Sequence, residues 1–139
     1  PLHQVMYELM GVETFSVEWL ERRPRVERLL DALEEDYLRQ VAAVAASPAS
    51  FCCIAGNISP QIVSPQRFLT YYMPQIERAC ATLHAAGKLT ALHLDADNRL
   101  LSPLVAQTSV DFIESFTPPP DCDMTVSEAR RTWPKKALR

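Results

Sequence analysis

Polar side chains with catalytic potential end two apolar segments of strand length in the second half of the chain. His93 and Asp95 follow the segment that begins at Leu89, and Glu114 ends the segment that begins at Val110. Side chains two residues apart on a strand point to the same face, so the sequence places His93 beside Asp95. An imidazole next to carboxylates can transfer a proton, and the same pair can contribute two ligands to zinc.

The pair at positions 93 and 95 admits two interpretations. As a zinc site it would be incomplete, and Glu114 or Asn57 would have to supply further ligands from neighbouring strand ends. As a structural feature, His93 and Asp95 would hydrogen-bond each other or loop amides at the end of the sheet. The sequence leaves both possibilities open.

Glu114 is the second candidate for acid–base chemistry. Burial at the end of an apolar strand would raise the pKa of its carboxyl group and make it a possible acid. The alternative is an ion pair with Arg99 or a hydrogen bond from a loop amide. Thr117, which follows the same strand, is a candidate substrate contact.

Helices and strands that alternate along the chain must position these residues. Apolar segments predict strands at about 51 to 55, 89 to 94 and 110 to 114, and helical periodicity separates each strand from the next. Strands joined by helical crossovers run parallel, and their carboxyl ends meet at one edge of the sheet. A capping box at Thr125 and Glu128 predicts a last helix that reaches about Thr132.

Length and composition narrow the class of protein. The 139 residues are enough for one domain, residues 1–139, and the 14 basic and 17 acidic residues give a net charge of −3 without a basic face for nucleic acid. No apolar segment approaches the ~20 residues that span a bilayer, so we expect a soluble, cytoplasmic protein. The four cysteines form no C-x-x-C pair and are expected to be buried, reduced thiols.

Several motifs together resemble the uroporphyrinogen decarboxylase (URO-D) superfamily, and its decarboxylase-like branch in particular. They are Val63-Ser64-Pro65 with Phe68 and Pro74, His93-Leu94-Asp95, Asp111-Phe112-Ile113-Glu114, Phe116 to Pro120, and Asp123. The resemblance implies a (β/α)₈ TIM barrel, which usually takes ~250 residues. We therefore expect a partial barrel of three to four parallel strands, with Ala137-Leu138-Arg139 opening the fourth, and an incomplete fragment of the enzyme.

The resemblance also suggests site residues. Tyr7 falls where the decarboxylases place a tyrosine that contacts substrate. Asn57 and Ile58 stand where they place an acidic residue and a serine, so Ser59 would have to supply the hydroxyl. Zinc methyltransferases of the superfamily carry a His-x-Cys motif where this chain has His93-Leu94-Asp95, so here a carboxylate replaces the thiolate.

Three functions follow from the resemblance. The first is a carboxy-lyase that acts on a small molecule of the tetrapyrrole or porphyrin class without a bound cofactor. The second is a zinc enzyme similar to the corrinoid-dependent methyltransferases. The third is an inactive binding or structural module. In each case the open edges and apolar inner face of a partial barrel predict a homo-oligomer, with a dimer as the simplest form.

Overall fold

The computed structural model describes residues 1–56 and 58–139, which form two compact units, Pro1–Ala43 and Val44–Arg139. The first unit is helical. It contains α1 (Leu2–Gln4), which continues as a π-helix over Val5–Leu9, then α2 (Val12–Glu21) and most of α3 (Arg23–Ala46). The positive φ of 77° at Gly11 separates the π-helix from α2, a conformation that glycine adopts without steric cost.

The second unit alternates strands and helices. Its strands are β1 (Phe51–Ala55), β2 (Leu89–His93), β3 (Phe112–Glu114) and β4 (Ala137–Leu138). Its helices are α4 (Pro65–Arg67), which continues as a π-helix over Phe68–Tyr72, then α5 (Met73–Ala85), α6 (Ser102–Val105) and α7 (Val126–Thr132). The predicted capping box at Thr125 and Glu128 is confirmed, and the side chain of Ser64 caps α4 by accepting from the backbone amide of Arg67.

The sheet has the order β1-β2-β3-β4, and every neighbouring pair is parallel. The strand predicted at 51 to 55 has those bounds, and the fourth strand at 137 is also confirmed. β3 begins at Phe112, two residues later than predicted, and the carbonyl of Val110 accepts a hydrogen bond from Nζ of Lys136 at 2.9 Å. A four-stranded parallel sheet with flanking helices is consistent with part of a (β/α)₈ barrel and confirms the predicted fold class.

The two faces of the sheet differ in their neighbours. Helix α5 buries Ile76, Cys80 and Leu83, and the thiol of Cys80 lies 3.4 Å from the hydroxyl of Thr90 on β2. The side chains that alternate with Thr90 point to the opposite face, where Leu89 is 53% exposed. This exposure is compatible with the expected homo-oligomer, which stays a prediction.

Asp111 holds the amino ends of β2 and β3 together. Its carboxylate accepts hydrogen bonds from the Thr90 amide at 2.7 Å and the Thr90 hydroxyl at 3.0 Å, and it lies 2.8 Å from Nε2 of His84. Burial by itself would raise the pKa of Asp111, but the hydrogen bonds from Thr90 and His84 outweigh it and lower the pKa. The carboxylate form is therefore the one that stabilises the fold.

We expect Asp111→Asn to lower the free energy of unfolding by about 1–2 kcal/mol at pH 7, because it removes charge-assisted hydrogen bonds. A carboxyl group with a lowered pKa in the folded state stabilises the protein above its unfolded-state pKa and loses that contribution as the pH falls. Urea unfolding should therefore show the difference between the variant and the unmodified protein shrinking as the pH falls below the ordinary aspartate pKa of 3.8. Asp121→Asn, at an exposed loop residue, is the matched control and should change little at either pH.

The polypeptide has two further general properties. Within the described residues, none of the helices combines the length and the apolar character that crossing a membrane requires. Cys80 and Cys122 are buried, as predicted, whereas Cys52 is half-buried and Cys53 is exposed; that all four are reduced stays a prediction.

Candidate active site

The carboxyl ends of β2 and β3 bring three of the predicted residues together. His93 ends β2 and Glu114 ends β3, and the two are direct partners in the parallel register. Nδ1 of His93 is hydrogen-bonded to Oε2 of Glu114, and its Nε2 lies 3.3 Å from Oδ2 of Asp95. The imidazole therefore lies between two carboxylates.

The two carboxylates determine the charge of the imidazole. The hydrogen bond to Glu114 raises the pKa of His93, burial opposes the rise, and Asp95 adds to it. The side chains of His93 and Glu114 are each 28% exposed, so they are partly shielded but remain open to a small molecule. Both carboxylates therefore favour the protonated imidazolium, the form that carries an N–H group at each ring nitrogen.

The prediction of a raised pKa for Glu114 is wrong. The hydrogen bond with His93 lowers the pKa of Glu114, and a hydrogen bond from the hydroxyl of Ser115 lowers it further. The alternative partner was wrong as well, because Arg99 pairs with Glu128 and not with Glu114. These shifts favour Glu114 as the carboxylate that holds His93, and they make His93 the candidate proton donor of the pair.

The turn after β3 supports Glu114. Ser115 has a positive φ of 57°, which residues other than glycine rarely adopt and which costs on the order of 1 kcal/mol. This conformation lets the Ser115 hydroxyl donate to Oε1 of Glu114 at 2.8 Å, while the hydroxyl of Thr117 donates to the carbonyl of Ser115 at 3.1 Å. Thr117 is thus linked to the site through the turn, and its predicted contact with substrate stays a prediction.

Two residues of this site were absent from the sequence-based predictions. Ser115 could not be identified, because nothing in the sequence indicates that a serine, rather than a glycine, adopts a positive φ. Cys53 could not be identified either, because its place beside the site depends on the register of β1 with β2. Burial raises the pKa of the Cys53 thiol, and the negative charge of Glu114 adds to the rise, so this thiol is neutral rather than nucleophilic.

The other predicted site residues lie elsewhere or outside the description. Ser59 bonds the side chain of Gln61, which in turn donates to Asp97 at 3.2 Å and so joins the loops after β1 and β2. Asn57 lies outside the described residues. Tyr7 belongs to the first unit, where its ring lies 4.6 Å from that of His3, and burial raises the pKa of its hydroxyl.

The donor set does not have the arrangement of a metal site. Within residues 1–56 and 58–139, no group of three or more His, Cys, Asp or Glu side chains is placed to hold a metal ion. Because both ring nitrogens of His93 face carboxylates, a zinc ion bound there would have to displace Glu114 or Asp95. The thiolate that the zinc methyltransferases use is replaced by the Asp95 carboxylate.

Comparison with known proteins gives one result. The model of the uroporphyrinogen decarboxylase (URO-D) family matches residues 3–136 of the 139-residue chain. No curated protein and no solved structure gives a significant match. The family model spans both compact units and includes His93, Asp95 and Glu114.

Proposed function

Because the chain belongs to the uroporphyrinogen decarboxylase family, we propose that it acts as a carboxy-lyase on a carboxylated tetrapyrrole or a related small molecule. The observation that carries the proposal is the position of the His93 imidazole between Asp95 and Glu114 at the carboxyl ends of the strands. In barrels of this class the chemistry takes place at those strand ends.

Decarboxylation needs a proton donor at the carbon that loses its carboxylate. A pyrrole ring of the substrate must first take up a proton from solvent at a ring carbon, because only the protonated ring can accept an electron pair. The carbon–carboxylate bond then breaks, CO₂ leaves, and the electron pair moves into that ring, which returns its extra proton to solvent when it becomes aromatic again. A proton must then replace the CO₂. His93 supplies it from Nε2, because the 3.3 Å separation from Asp95 is longer than the contact on the Glu114 side and is more easily given up.

Glu114 and Asp95 have different tasks in this scheme. Glu114 fixes the ring through Nδ1 and keeps the imidazole protonated between turnovers, since an adjacent negative charge favours the cation. Asp95 orients the Nε2–H until the substrate arrives. Ser115 positions Glu114. We propose no metal or organic cofactor, because the substrate ring itself accepts the electron pair.

The remaining predicted residues complete the proposal as substrate contacts. Asn57, Ser59 and Thr117 would bind the polar periphery of the substrate, with hydroxyl and amide groups that suit carboxylate oxygens. Tyr7, in the first unit, is proposed as a substrate contact from the family resemblance alone.

Release of CO₂ from a reduced, carboxylated porphyrinogen under anaerobic conditions tests the proposed function. We expect the purified protein to form products with fewer carboxylates, separable by chromatography, and His93→Gln to form none above background. Equal CO₂ release with and without the protein would refute the proposal.

A further inference from the structure

Arg139 directly follows the fourth strand, at the same edge of the sheet as His93 and Glu114. Its amide donates to the carbonyl of Ile113 at 3.0 Å, and its carbonyl accepts from the amide of Phe116 at 3.0 Å. Since Ile113 pairs with Leu138 in the parallel register, the next position sets Arg139 beside Glu114. Alternation along the strands then directs the side chain of Arg139 to the face that carries Glu114 and His93.

The guanidinium of Arg139 is exposed, and it has no hydrogen bond or ion pair with the rest of the described chain. Its charge does reach the site, because it contributes to the lowering of the Glu114 pKa after the hydrogen bonds from His93 and Ser115. A cation that is near a catalytic pair and has no partner of its own can bind an anionic ligand.

Three other basic side chains of the same unit have structural partners. Arg99 pairs with Glu128, and its guanidinium also donates to the carbonyl of Asp123. Lys88 donates to the carbonyls of Ser47 and Ala49 at 2.7 Å, and Lys136 is buried against carbonyls at the amino end of the sheet. Arg139 differs from these three because its charged group faces solvent at the carboxyl end.

We propose that Arg139 binds a carboxylate of the substrate that is not the one lost as CO₂. This inference rests on the proposed function and adds a binding residue to the same site. A guanidinium bound to the reacting carboxylate would oppose the reaction, because it stabilises the negative charge that leaves the group as CO₂ forms. A guanidinium bound to a second carboxylate instead fixes the substrate over His93 throughout the reaction. The site therefore selects substrates that carry two or more carboxylates.

Titration with uroporphyrin, a stable carboxylated porphyrin, tests the inference through porphyrin fluorescence. We expect Arg139→Gln to weaken binding about tenfold, as the loss of one exposed charge-assisted bond implies. Arg139→Lys should recover part of the affinity, because it keeps the charge but not the two-pronged geometry. Arg131→Gln, at an exposed arginine in the last turn of α7, makes the same change of net charge and should bind as the unmodified protein does.

Kinetics with the porphyrinogen separate the two proposals. We expect Arg139→Gln to raise KM about tenfold with little change in kcat, because the residue binds a group that does not react. If Arg139→Gln behaved like Arg131→Gln in both assays, the proposed role of Arg139 would be overturned and the proposed decarboxylation would be unaffected. Weaker porphyrin binding in Arg139→Gln, with no CO₂ released by any variant, would support the carboxylate site and refute the carboxy-lyase. Failure of the unmodified protein to bind uroporphyrin would overturn both.

Discussion

Replacing His93 with Gln is expected to lower the rate of decarboxylation about 10²- to 10⁴-fold, the range that a positioned proton donor contributes. The glutamine amide can hydrogen-bond Glu114, so the geometry at the end of β3 is largely kept, but an amide does not give up a proton at neutral pH. The effect should appear in kcat. Initial rates of CO₂ release at saturating porphyrinogen measure it.

His84→Gln is the matched control for this variant. His84 also faces a carboxylate, that of Asp111, but it does so at the amino end of the sheet. Circular dichroism should show both variants folded, and only the change at position 93 should reduce the rate. If His93→Gln instead failed to fold, or melted without ligand at a temperature far below that of His84→Gln, either result would support a structural role for the pair of His93 and Asp95.

The pH dependence of the rate has a definite sign. A proton donor is active below its pKa, and the hydrogen bond to Glu114 raises the pKa of His93 above its ordinary value of 6.5. The rate should therefore hold through pH 6.5 and decline only at higher pH. If the rate already declined with rising pH before pH 6.5 was reached, Glu114 would not hold the proton on the imidazole in solution.

Trp133→Ala is expected to have the largest effect on stability, about 3–5 kcal/mol, the range for removing a large buried aromatic side chain. Trp133 is 1% exposed, its indole N–H donates to the carbonyl of Ser102 at 2.9 Å, and its ring packs edge-on against Phe116. It therefore joins α6, α7 and the turn after β3. Chemical denaturation monitored by circular dichroism measures the loss.

Trp133→Phe separates packing from hydrogen bonding at this position. The phenyl ring fills most of the space, but the carbonyl of Ser102 loses its donor, so we expect a smaller loss of about 1–3 kcal/mol. If Trp133→Ala lowered the free energy of unfolding by less than 1 kcal/mol, the indole would not be the link between these elements.

The sequence predicted the strands because their signals are local. Phe51–Ala55 and Leu89–His93 are short, apolar and followed by polar turns, and the helices between them carry a clear period. The capping box at Thr125 and Glu128 was equally local and is confirmed. Helix α2 was not predicted, because most of its residues are polar or exposed and only Phe15 is fully buried.

The site was only partly predictable, because its electrostatics depend on register. That His93 and Asp95 share a face follows from alternation alone, and the structure places them together. Alternation along one strand could not predict which residue is the partner of Glu114. The register of β2 with β3 sets Glu114 opposite His93, and this pairing reversed the expected direction of the Glu114 pKa. Arg139 lies beside Glu114 for the same reason, through the register of β3 with β4, whereas Ser115 reaches Glu114 through the positive φ of the turn.

The protonation state of His93 in the ligand-free protein tests the central claim most directly. Nitrogen-15 NMR of the labelled imidazole resolves both ring nitrogens, and the shifts of His93 can be assigned from the His93→Gln spectrum. We predict that both nitrogens carry protons at pH 7 and that the ring titrates above 6.5, because Glu114 and Asp95 favour the cation. A neutral ring at pH 7, titrating at or below 6.5, would contradict the assignment of His93 as the proton donor.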